Sequence, residues 1–228
     1  MEEKIKGILG RILSGSGHSF TDSVSLPEKF TTVVCGLGKY GKNNLCYVDG
    51  MGSFNTPIIY LSDLAVKNDQ SSEQELPNGN DMGIETDLMA GKEFAEKNYQ
   101  LKTCMHCAKC RDNCPTAAII DDSFVINPEN CITYFNENEF EIPGWILSEW
   151  QNTLVGCMRC QDICPANKKV LKNTVKGPAF QQPETDAILK NTEFESLPES
   201  AKSKIHKLCM EGYYPILSRN LNMLLNIN

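Results

Sequence analysis

Cysteine is the residue type that most clearly indicates chemistry in this sequence. The chain has 228 residues and 11 cysteines, and most of the cysteines lie in two short motifs. Residues 104–115 read CMHCAKCRDNCP and residues 157–165 read CMRCQDICP. The first motif has the complete spacing C-x-x-C-x-x-C-x-x-x-C-P. The second lacks its opening cysteine, because Leu154 stands at that position.

The complete spacing is typical of proteins with two 4Fe–4S clusters. In such proteins, three cysteines of a tight loop bind one cluster, and the cysteine before the proline binds the other. Applied here, the rule leaves one cluster a ligand short, and Cys131 in NPENCITY is the candidate for that place. The predicted ligand sets are Cys104, Cys107, Cys110 and Cys164 for the first cluster, and Cys114, Cys131, Cys157 and Cys160 for the second.

Zinc offers an alternative interpretation of these motifs, because Cys₄ zinc sites also use C-x-x-C pairs. His106 lies inside the first motif and is expected at the surface or behind the ligands. Three cysteines lie outside the predicted ligand sets, namely Cys35, Cys46 and Cys209. Buried free cysteine packs as a small apolar residue, and we expect this of all three.

The composition is that of a globular protein, with 41% hydrophobic residues and a net charge of −7. No apolar run reaches the roughly 20 residues that span a bilayer. The first residues, MEEKIKGILGRIL, lack the features of a signal peptide and instead have the apolar spacing of an amphipathic helix. We therefore expect a cytoplasmic protein without a membrane segment. The acidic balance argues against broad adhesion to nucleic acid, although NKKVLKNTVK (residues 167–176) is either a local basic face or a solvated segment.

A glycine-rich block, CGLGKYGKNN (residues 35–44), precedes the cysteine motifs. Glycine permits tight turns and a close backbone approach to a ligand. Gly36, Gly38 and Gly41 fit the string G-x-G-x-x-G, but the residues that follow do not continue as an amphipathic helix. Dinucleotide binding is therefore only a weak alternative for this block.

Several motifs together resemble the epoxyqueuosine reductases, cobalamin-dependent enzymes that complete queuosine in tRNA. The resemblance runs from residue 5 to about residue 225, and distant relatives with the same layout are the reductive dehalogenases. The matching segments are Asp22-Ser23, Glu28-Lys29, GLGKYGKN (36–43), GSF (52–54), CITY (131–134), GCMRCQDICPAN (156–167) and Arg219-Asn220.

The resemblance implies a cobalamin held beside two 4Fe–4S clusters that pass it single electrons. It implies that Asp22 is the catalytic proton donor; from the residues alone, Asp22 would instead be read as a helix N-cap. It further implies that the corrin is lined by residues of the glycine-rich block and of two later segments. These are Gly41, Lys42, Asn43, Gly52, Ser53 and Thr133.

This sequence departs from the family's pattern in three respects. Family members carry further residues that complete the cobalamin domain and a C-terminal helical-repeat domain, and neither has a counterpart here. Met158 and Arg159 stand where family members tend to have acidic residues. These departures make tRNA a doubtful substrate and suggest that a partner chain completes the corrin site.

The predicted architecture is α+β in four parts: a partial cobalamin-type domain (1–65), a polar insertion (66–100), a ferredoxin-like two-cluster module (101–170) and a C-terminal helical segment (171–228). FTTVV (30–34) is ambiguous between strand and helix. GYYPILSRNLNMLLNIN, at the end of the chain, has the leucine spacing of a packed helix. The predicted function is an iron–sulfur reductase that takes electrons from a low-potential donor such as a ferredoxin or flavodoxin. The alternative is a ferredoxin-like electron carrier without a corrinoid.

Overall fold

The computed structural model describes residues 2–22, 26–65, 99–120 and 125–225. These residues form a mixed fold of helices and short strands, as the α+β prediction required. The helices are α1 (Glu2–Ser14), α2 (Glu28–Val34), α3 (Lys109–Asp112), α4 (Ile132–Asn136), α5 (Arg159–Asp162), α6 (Gln182–Leu189), α7 (Glu199–Lys207) and α8 (Tyr214–Leu225). The strands are β1 (Phe20–Asp22), β2 (Gly38–Tyr40), β3 (Cys46–Val48) and β4 (Tyr60–Ser62).

The N-terminal part begins with the predicted amphipathic helix, α1. Its residue Leu13 is buried, whereas Ile12 on the same helix is 63% exposed. Strands β1 and β4 pair antiparallel, and Phe20 and Tyr60 stack edge to face with ring centroids 5.4 Å apart. This pairing places residues 20–22 beside residues 60–62, so the two ends of the segment between β1 and β4 lie next to each other.

The ambiguous segment FTTVV is helical and lies in α2. Val33 of this helix packs with Tyr40 and Cys46 of the antiparallel β2–β3 pair, forming a small core. The β-branched residues favour a strand only weakly, and here the contacts of one buried face decide the conformation. The helix carries the chain to the turn that enters the glycine-rich block.

In the described residues 99–120 and 125–173, the regular structure consists of short helices and single 3₁₀ turns between extended segments. Helices α3 and α5, each from one cysteine motif, pack against one another. The side-chain amide of Asn113 donates to the carbonyl of Arg159 at 2.7 Å and ties the two motifs together. The 3₁₀ turns of this region are Lys102–Cys104, Pro128–Asn130, Ser148–Trp150, Pro165–Asn167 and Leu171–Asn173.

The C-terminal helices α6, α7 and α8 enclose the larger apolar core. Its buried members are Ile188, Leu197, Ala201, Ile205, Tyr214 and Leu217. Leu217 is buried and Leu221 packs against this core, as the leucine spacing of the last helix predicted, whereas Leu225 is 48% exposed. No helix in the described part of the chain combines the length and apolar character needed to cross a membrane.

Several details differ from the sequence-based expectations. Cys46 is buried as expected, but Cys35 and Cys209 are exposed, so the prediction of apolar packing was wrong for both. The reason is their position: Cys35 caps the end of α2, and Cys209 has φ 55° in the turn after α7, where side chains face solvent. The polar insertion predicted for 66–100 lies, up to residue 98, outside the described residues.

Candidate metal centre

The structure brings the first predicted set of cysteines together. Burial raises the pKa of the Cys110 thiol to about 11, and the neighbouring Cys104, Cys164 and Cys107 add to this effect. Burial likewise raises the pKa of Cys104, again with Cys164 and Cys107 as neighbours. Cys164 comes from the second motif, more than 50 residues further along the chain, so the fold brings a cysteine of the second motif beside those of the first.

The second predicted set is also assembled. Burial raises the pKa of Cys157, and Cys131 and Cys114 are the thiols whose charges raise it further. Burial raises the pKa of Cys160 to about 12, with Cys157 and Cys131 close by and Cys110 of the first set next. Cys131 therefore lies beside Cys157 and Cys160, as its predicted role as the missing ligand requires.

The eight thiols form two adjoining groups of four rather than one compact ion site. Within the described ranges, no three His, Cys, Asp or Glu side chains form a site for a single metal ion. Burial raises the pKa values of Cys104, Cys110, Cys157 and Cys160, so these four thiols are protonated near neutral pH, and binding of a cation must displace their protons. Two thiol groups of this kind suit two 4Fe–4S clusters, whose ligands are four thiolates each.

The Arg219-Asn220 pair of α8 fixes the loop that carries the second group. Asn220 is 1% exposed, and its amide donates to the carbonyls of Asn136 and Leu154 at 2.8 and 2.9 Å. Arg219 donates to the carbonyl of Phe135 at 2.9 Å. The C-terminal helix thereby holds both α4, which follows Cys131, and the loop that precedes Cys157.

The glycine-rich block lies against the cysteine motifs. The backbone N–H of Lys42 is close enough to Cys104, and the side chain of Asn43 close enough to Cys160, to oppose the rise in the pKa of each thiol that burial causes. The hydroxyl of Tyr47 donates to Cys164 Sγ at 3.2 Å. Burial, and then the hydrogen bond with Cys164, raise the pKa of Tyr47, so its hydroxyl remains protonated.

Gly52 and Ser53 form a second contact with the cysteine motifs. The Ser53 N–H donates to Asn167 Oδ1 at 2.9 Å, and its hydroxyl donates to Gln161 Oε1 at 2.8 Å. Gly52 has φ 60°, and a Cβ at this position would lie 2.4 Å from Asn167 Oδ1. Glycine is therefore required here both by the backbone conformation and by the close approach of Asn167, which is fully buried.

A cavity of about 640 Å³ opens beside the first group of cysteines. Its walls come from the turn before β2, from β3 and the turn after it, and from the segment that follows Cys164. Tyr47 and Pro165 line it, so one wall is in direct contact with a predicted cluster ligand. Three of its charged side chains are Lys39, Asp49 and Lys169.

The residues predicted to line a corrin are divided among these places. Gly52 lines the cavity, while Lys42, Asn43 and Ser53 lie against the cysteine motifs as described above. A Cβ on Gly41 would lie 2.6 Å from Asn43 and from Tyr47, so this glycine allows the block to fold tightly. Thr133 is half-buried in α4, two residues after Cys131. Their contact with a corrin stays a prediction.

Asp22 lies at the end of β1, opposite Tyr60 in the strand pair. Its side chain is 47% exposed, and a carboxylate oxygen accepts from Lys6 Nζ at 2.8 Å. The interpretation of Asp22 as an N-cap was wrong, because α2 begins at Glu28 with Pro27 at the capping position. The predicted role as a proton donor called for a carboxyl shielded from water, and the structure places this carboxyl at the surface.

Tyr47 and Asn167 are the site residues that the sequence analysis did not single out. Tyr47 lies four residues after Asn43, across the turn that joins β2 to β3, and its spacing carries no signal of a contact with Cys164. Asn167 belongs to the C-P-x-N segment that the sequence analysis quoted. Its hydrogen bonds with Ser53, however, join two residues that are 114 positions apart in the sequence. Only the tertiary structure reveals such contacts.

Comparison with known proteins identifies the cysteine region. Residues 103–167 match the family model of a 4Fe-4S double cluster binding domain. An epoxyqueuosine reductase from Cyclobacterium marinum is 28% identical over 208 residues, which are 91% of this chain and 56% of that protein. The structure of epoxyqueuosine reductase from Bacillus subtilis, with a catalytic aspartate loop swung out of the active site, gives a TM-score of 0.65 at 19% identity.

A second similar structure is an epoxyqueuosine reductase with an epoxyqueuosine-modified tRNA stem loop, which gives a TM-score of 0.57 at 19% identity. Both solved structures are covered over 53% of their length by 98% of this chain. The chain thus spans little more than half the length of the relatives it matches. The resemblance to epoxyqueuosine reductases that the motifs predicted is confirmed, as is a 4Fe–4S double-cluster region.

Proposed function

We propose that the protein is an iron–sulfur oxidoreductase in which two 4Fe–4S clusters pass single electrons toward a bound cobalamin. The observation that carries the proposal is the assembly of eight cysteines into two adjoining groups of four, with ligands exchanged between the motifs. Each group supplies the four thiolates that one cluster needs. The match of residues 103–167 to a double cluster domain supports the same assignment.

Bound clusters supply one-electron transfer, and the protein's own residues determine where the electrons go. The contact of α3 with α5 brings the two thiol groups side by side, with Cys110 next to Cys160. The first group borders the cavity through Tyr47 and Pro165. Electrons therefore enter at the group of Cys114, Cys131, Cys157 and Cys160 and leave from the group next to the cavity.

The cavity is the proposed site of the electron acceptor. Its volume of about 640 Å³ is within the usual range of small-molecule sites, roughly 300–1,000 Å³. Cobalamin is larger than the ligands of such sites, so the cavity fits a part of it, and the remainder requires surfaces beyond this cavity. Among the residues predicted to line the corrin, Gly52 is the one in the cavity wall.

Asp22 remains the proposed proton donor, acting after a change in position. It is exposed and paired with Lys6, and so it must leave that ion pair to reach a substrate. The catalytic aspartate loop of the Bacillus subtilis relative has been found swung out of its active site, which supports a movable aspartate in this chain. A carboxyl that moves from water into a closed site gains the raised pKa that proton donation needs.

The substrate class and the partners are also proposals. One similar structure contains a tRNA stem loop, which favours tRNA as the substrate. We give this more weight than the sequence departures at Met158 and Arg159, which argue against tRNA. Arg159 donates to the backbone carbonyls of Trp150 and Glu149, which gives it a structural use. The proposed electron donor is a low-potential ferredoxin or flavodoxin, and the proposed location is the cytoplasm. A partner chain is proposed to complete the corrin site.

The exposed position of Asp22 favours a second candidate, an electron carrier without cobalamin. A binding experiment separates the two functions. Protein reconstituted anaerobically should contain about eight iron atoms per chain and should bind cobalamin in an equilibrium titration. Asn173 lines the cavity from an exposed position, so Asn173→Trp should fill the cavity and weaken cobalamin binding at least tenfold while iron content is unchanged.

Val175→Trp is the matched control, because Val175 is 90% exposed on the same segment and lies outside the cavity lining. It should bind cobalamin like the unmodified protein. Equal affinity of both variants would contradict the assignment of the cavity. Full iron content with no cobalamin binding in the unmodified chain would favour the carrier.

A further inference from the structure

Tyr47 directs its hydroxyl proton at a predicted cluster ligand. The tyrosine is 5% exposed, and Oη lies 3.2 Å from Cys164 Sγ. Asn43 Nδ2 donates to the same Oη at 3.0 Å, which occupies a lone pair of the hydroxyl. The other acceptor within reach, Asn43 Oδ1, is 3.4 Å away. A thiolate at Cys164 attracts the proton more strongly than a neutral amide oxygen at a longer distance does.

Asn43 reaches the second thiol group as well. Its side chain is 5% exposed and is close enough to Cys160 to oppose the rise in the pKa of that thiol. A carboxamide carries two N–H donors, so one can serve Tyr47 while the other is available to a thiolate at Cys160. Asn43 and Tyr47 thus lie between one ligand of each predicted cluster.

We propose that Asn43 and Tyr47 form a hydrogen-bonded relay that raises the reduction potentials of both clusters and couples them to one another. The inference rests on the proposed function, because it requires clusters at both cysteine groups. It assigns to Asn43 a role other than corrin contact, and it gives Tyr47 a role in electron transfer.

The direction of the effect follows from charge. An electron added to a 4Fe–4S cluster increases the negative charge on its sulfur ligands, so donors to those sulfurs stabilise the reduced form. Hydrogen bonds to the sulfurs are one of the factors that set cluster potentials. Both donors are buried, where a hydrogen bond to a charged atom is stronger than it is in water. Donation by Asn43 also polarises the Tyr47 hydroxyl and strengthens its bond to Cys164.

The relay is tested by a dithionite titration of reconstituted protein, monitored by EPR, with iron content measured in parallel. Tyr47→Phe removes the hydroxyl and keeps the ring, so it should lower the midpoint potential of the cluster bound by Cys164 and leave the iron content unchanged. Asn43→Leu conserves the approximate volume and removes both donors, so it should lower the potentials of both clusters. In Tyr47→Phe, the second cluster should shift less than it does in Asn43→Leu.

Tyr214→Phe is the matched control, since its buried hydroxyl donates to the carbonyl of Thr192 in the C-terminal helices. It should leave both potentials unchanged. The relay is overturned if Tyr47→Phe and Asn43→Leu keep their iron and have the original potentials. It is also overturned if both variants lose iron while Tyr214→Phe keeps it, because the two residues would then be structural. If Tyr47→Phe alone loses iron, the potentials of Asn43→Leu provide the test: lower potentials of both clusters support the relay, and unchanged potentials overturn it.

Failure of the proposed function would look different. In that case, the unmodified protein itself would hold no iron and give no EPR signal on reduction. Clusters with unchanged potentials in both variants contradict the relay alone.

Discussion

At the scale of single residues, Leu154 explains why the second motif is incomplete. Its side chain packs against the C-terminal core, and its carbonyl accepts from Asn220 at 2.9 Å. A cysteine here would be committed to the helical core rather than to a metal group. Cys131 reaches the second group from another direction, as the residue that precedes α4.

Asn220 joins α4 to the loop that contains Leu154, through hydrogen bonds to one backbone carbonyl of each. Asn220→Ala would leave the carbonyls of Asn136 and Leu154 without their buried donor. Each unpaired buried carbonyl costs about 1–3 kcal/mol, so we expect the two together to lower the free energy of unfolding by about 2–6 kcal/mol. Denaturant unfolding measures this loss, and iron analysis should show that the second cluster is lost before the first.

Asn222→Ala provides the control on the same helix. Asn222 is exposed, and its amide donates to Ser218 within the helix. Its replacement should change the free energy of unfolding by less than about 0.5 kcal/mol. Equal effects of the two substitutions would show that the buried bonds of Asn220 do not hold the loop.

At the scale of elements, the cysteine motifs are too short to order themselves. Helices α3 and α5 have four residues each, and isolated helices shorter than about 12 residues are marginal in water. Contacts from outside therefore determine their positions. The Gly52-Ser53 turn is one such contact, because it hydrogen-bonds Gln161 of α5 and Asn167 just after Cys164.

Gly52→Ala tests this contact. The new Cβ would lie 2.4 Å from Asn167 Oδ1 and 2.8 Å from a methyl group of Val170, at φ 60°. Left-handed backbone costs about 1–2 kcal/mol for alanine, and overpacking adds about 1–3 kcal/mol. We expect a lower unfolding midpoint in denaturant and weaker retention of the cluster bound by Cys164.

Gly50→Ala separates the two causes. Gly50 has φ 73° in the same turn, but a Cβ there has no neighbour within 4 Å. Only the backbone strain should remain, so Gly50→Ala should be less destabilising than Gly52→Ala by about 1–3 kcal/mol. If the two variants unfold alike, the close approach of Asn167 has no energetic weight.

At the scale of the whole molecule, the sequence predicted the chemistry better than the packing. The cysteine spacing predicted how the eight cysteines divide into two groups, because a cluster imposes its ligand geometry on a short stretch of chain. The role of Cys131 as a ligand was inferred by elimination; the structure places it near Cys157, and its binding of a cluster stays a prediction. The mixed fold and the terminal helix also followed from local patterns.

Long-range contacts were beyond the reach of the sequence. Tyr47 and Cys164 are 117 positions apart, and local spacing contains no information about such a pair. Lys42, Asn43 and Ser53 were expected to line a corrin, which stays a prediction, and nothing in the local sequence predicted their positions against the cysteine motifs. Asp22 was expected in a shielded position and lies at the surface, because its strand pairs with β4 rather than covering the metal centre.

The wiring of the two thiol groups is the central claim, and iron analysis of Cys131→Ser tests it most directly. After anaerobic reconstitution the variant should hold about four iron atoms per chain, where the unmodified protein holds about eight, and one EPR signal should remain. Cys209→Ser, which changes an exposed cysteine outside both groups, should keep the full complement. A Cys131→Ser variant that also retains about eight iron atoms and both signals would contradict the account.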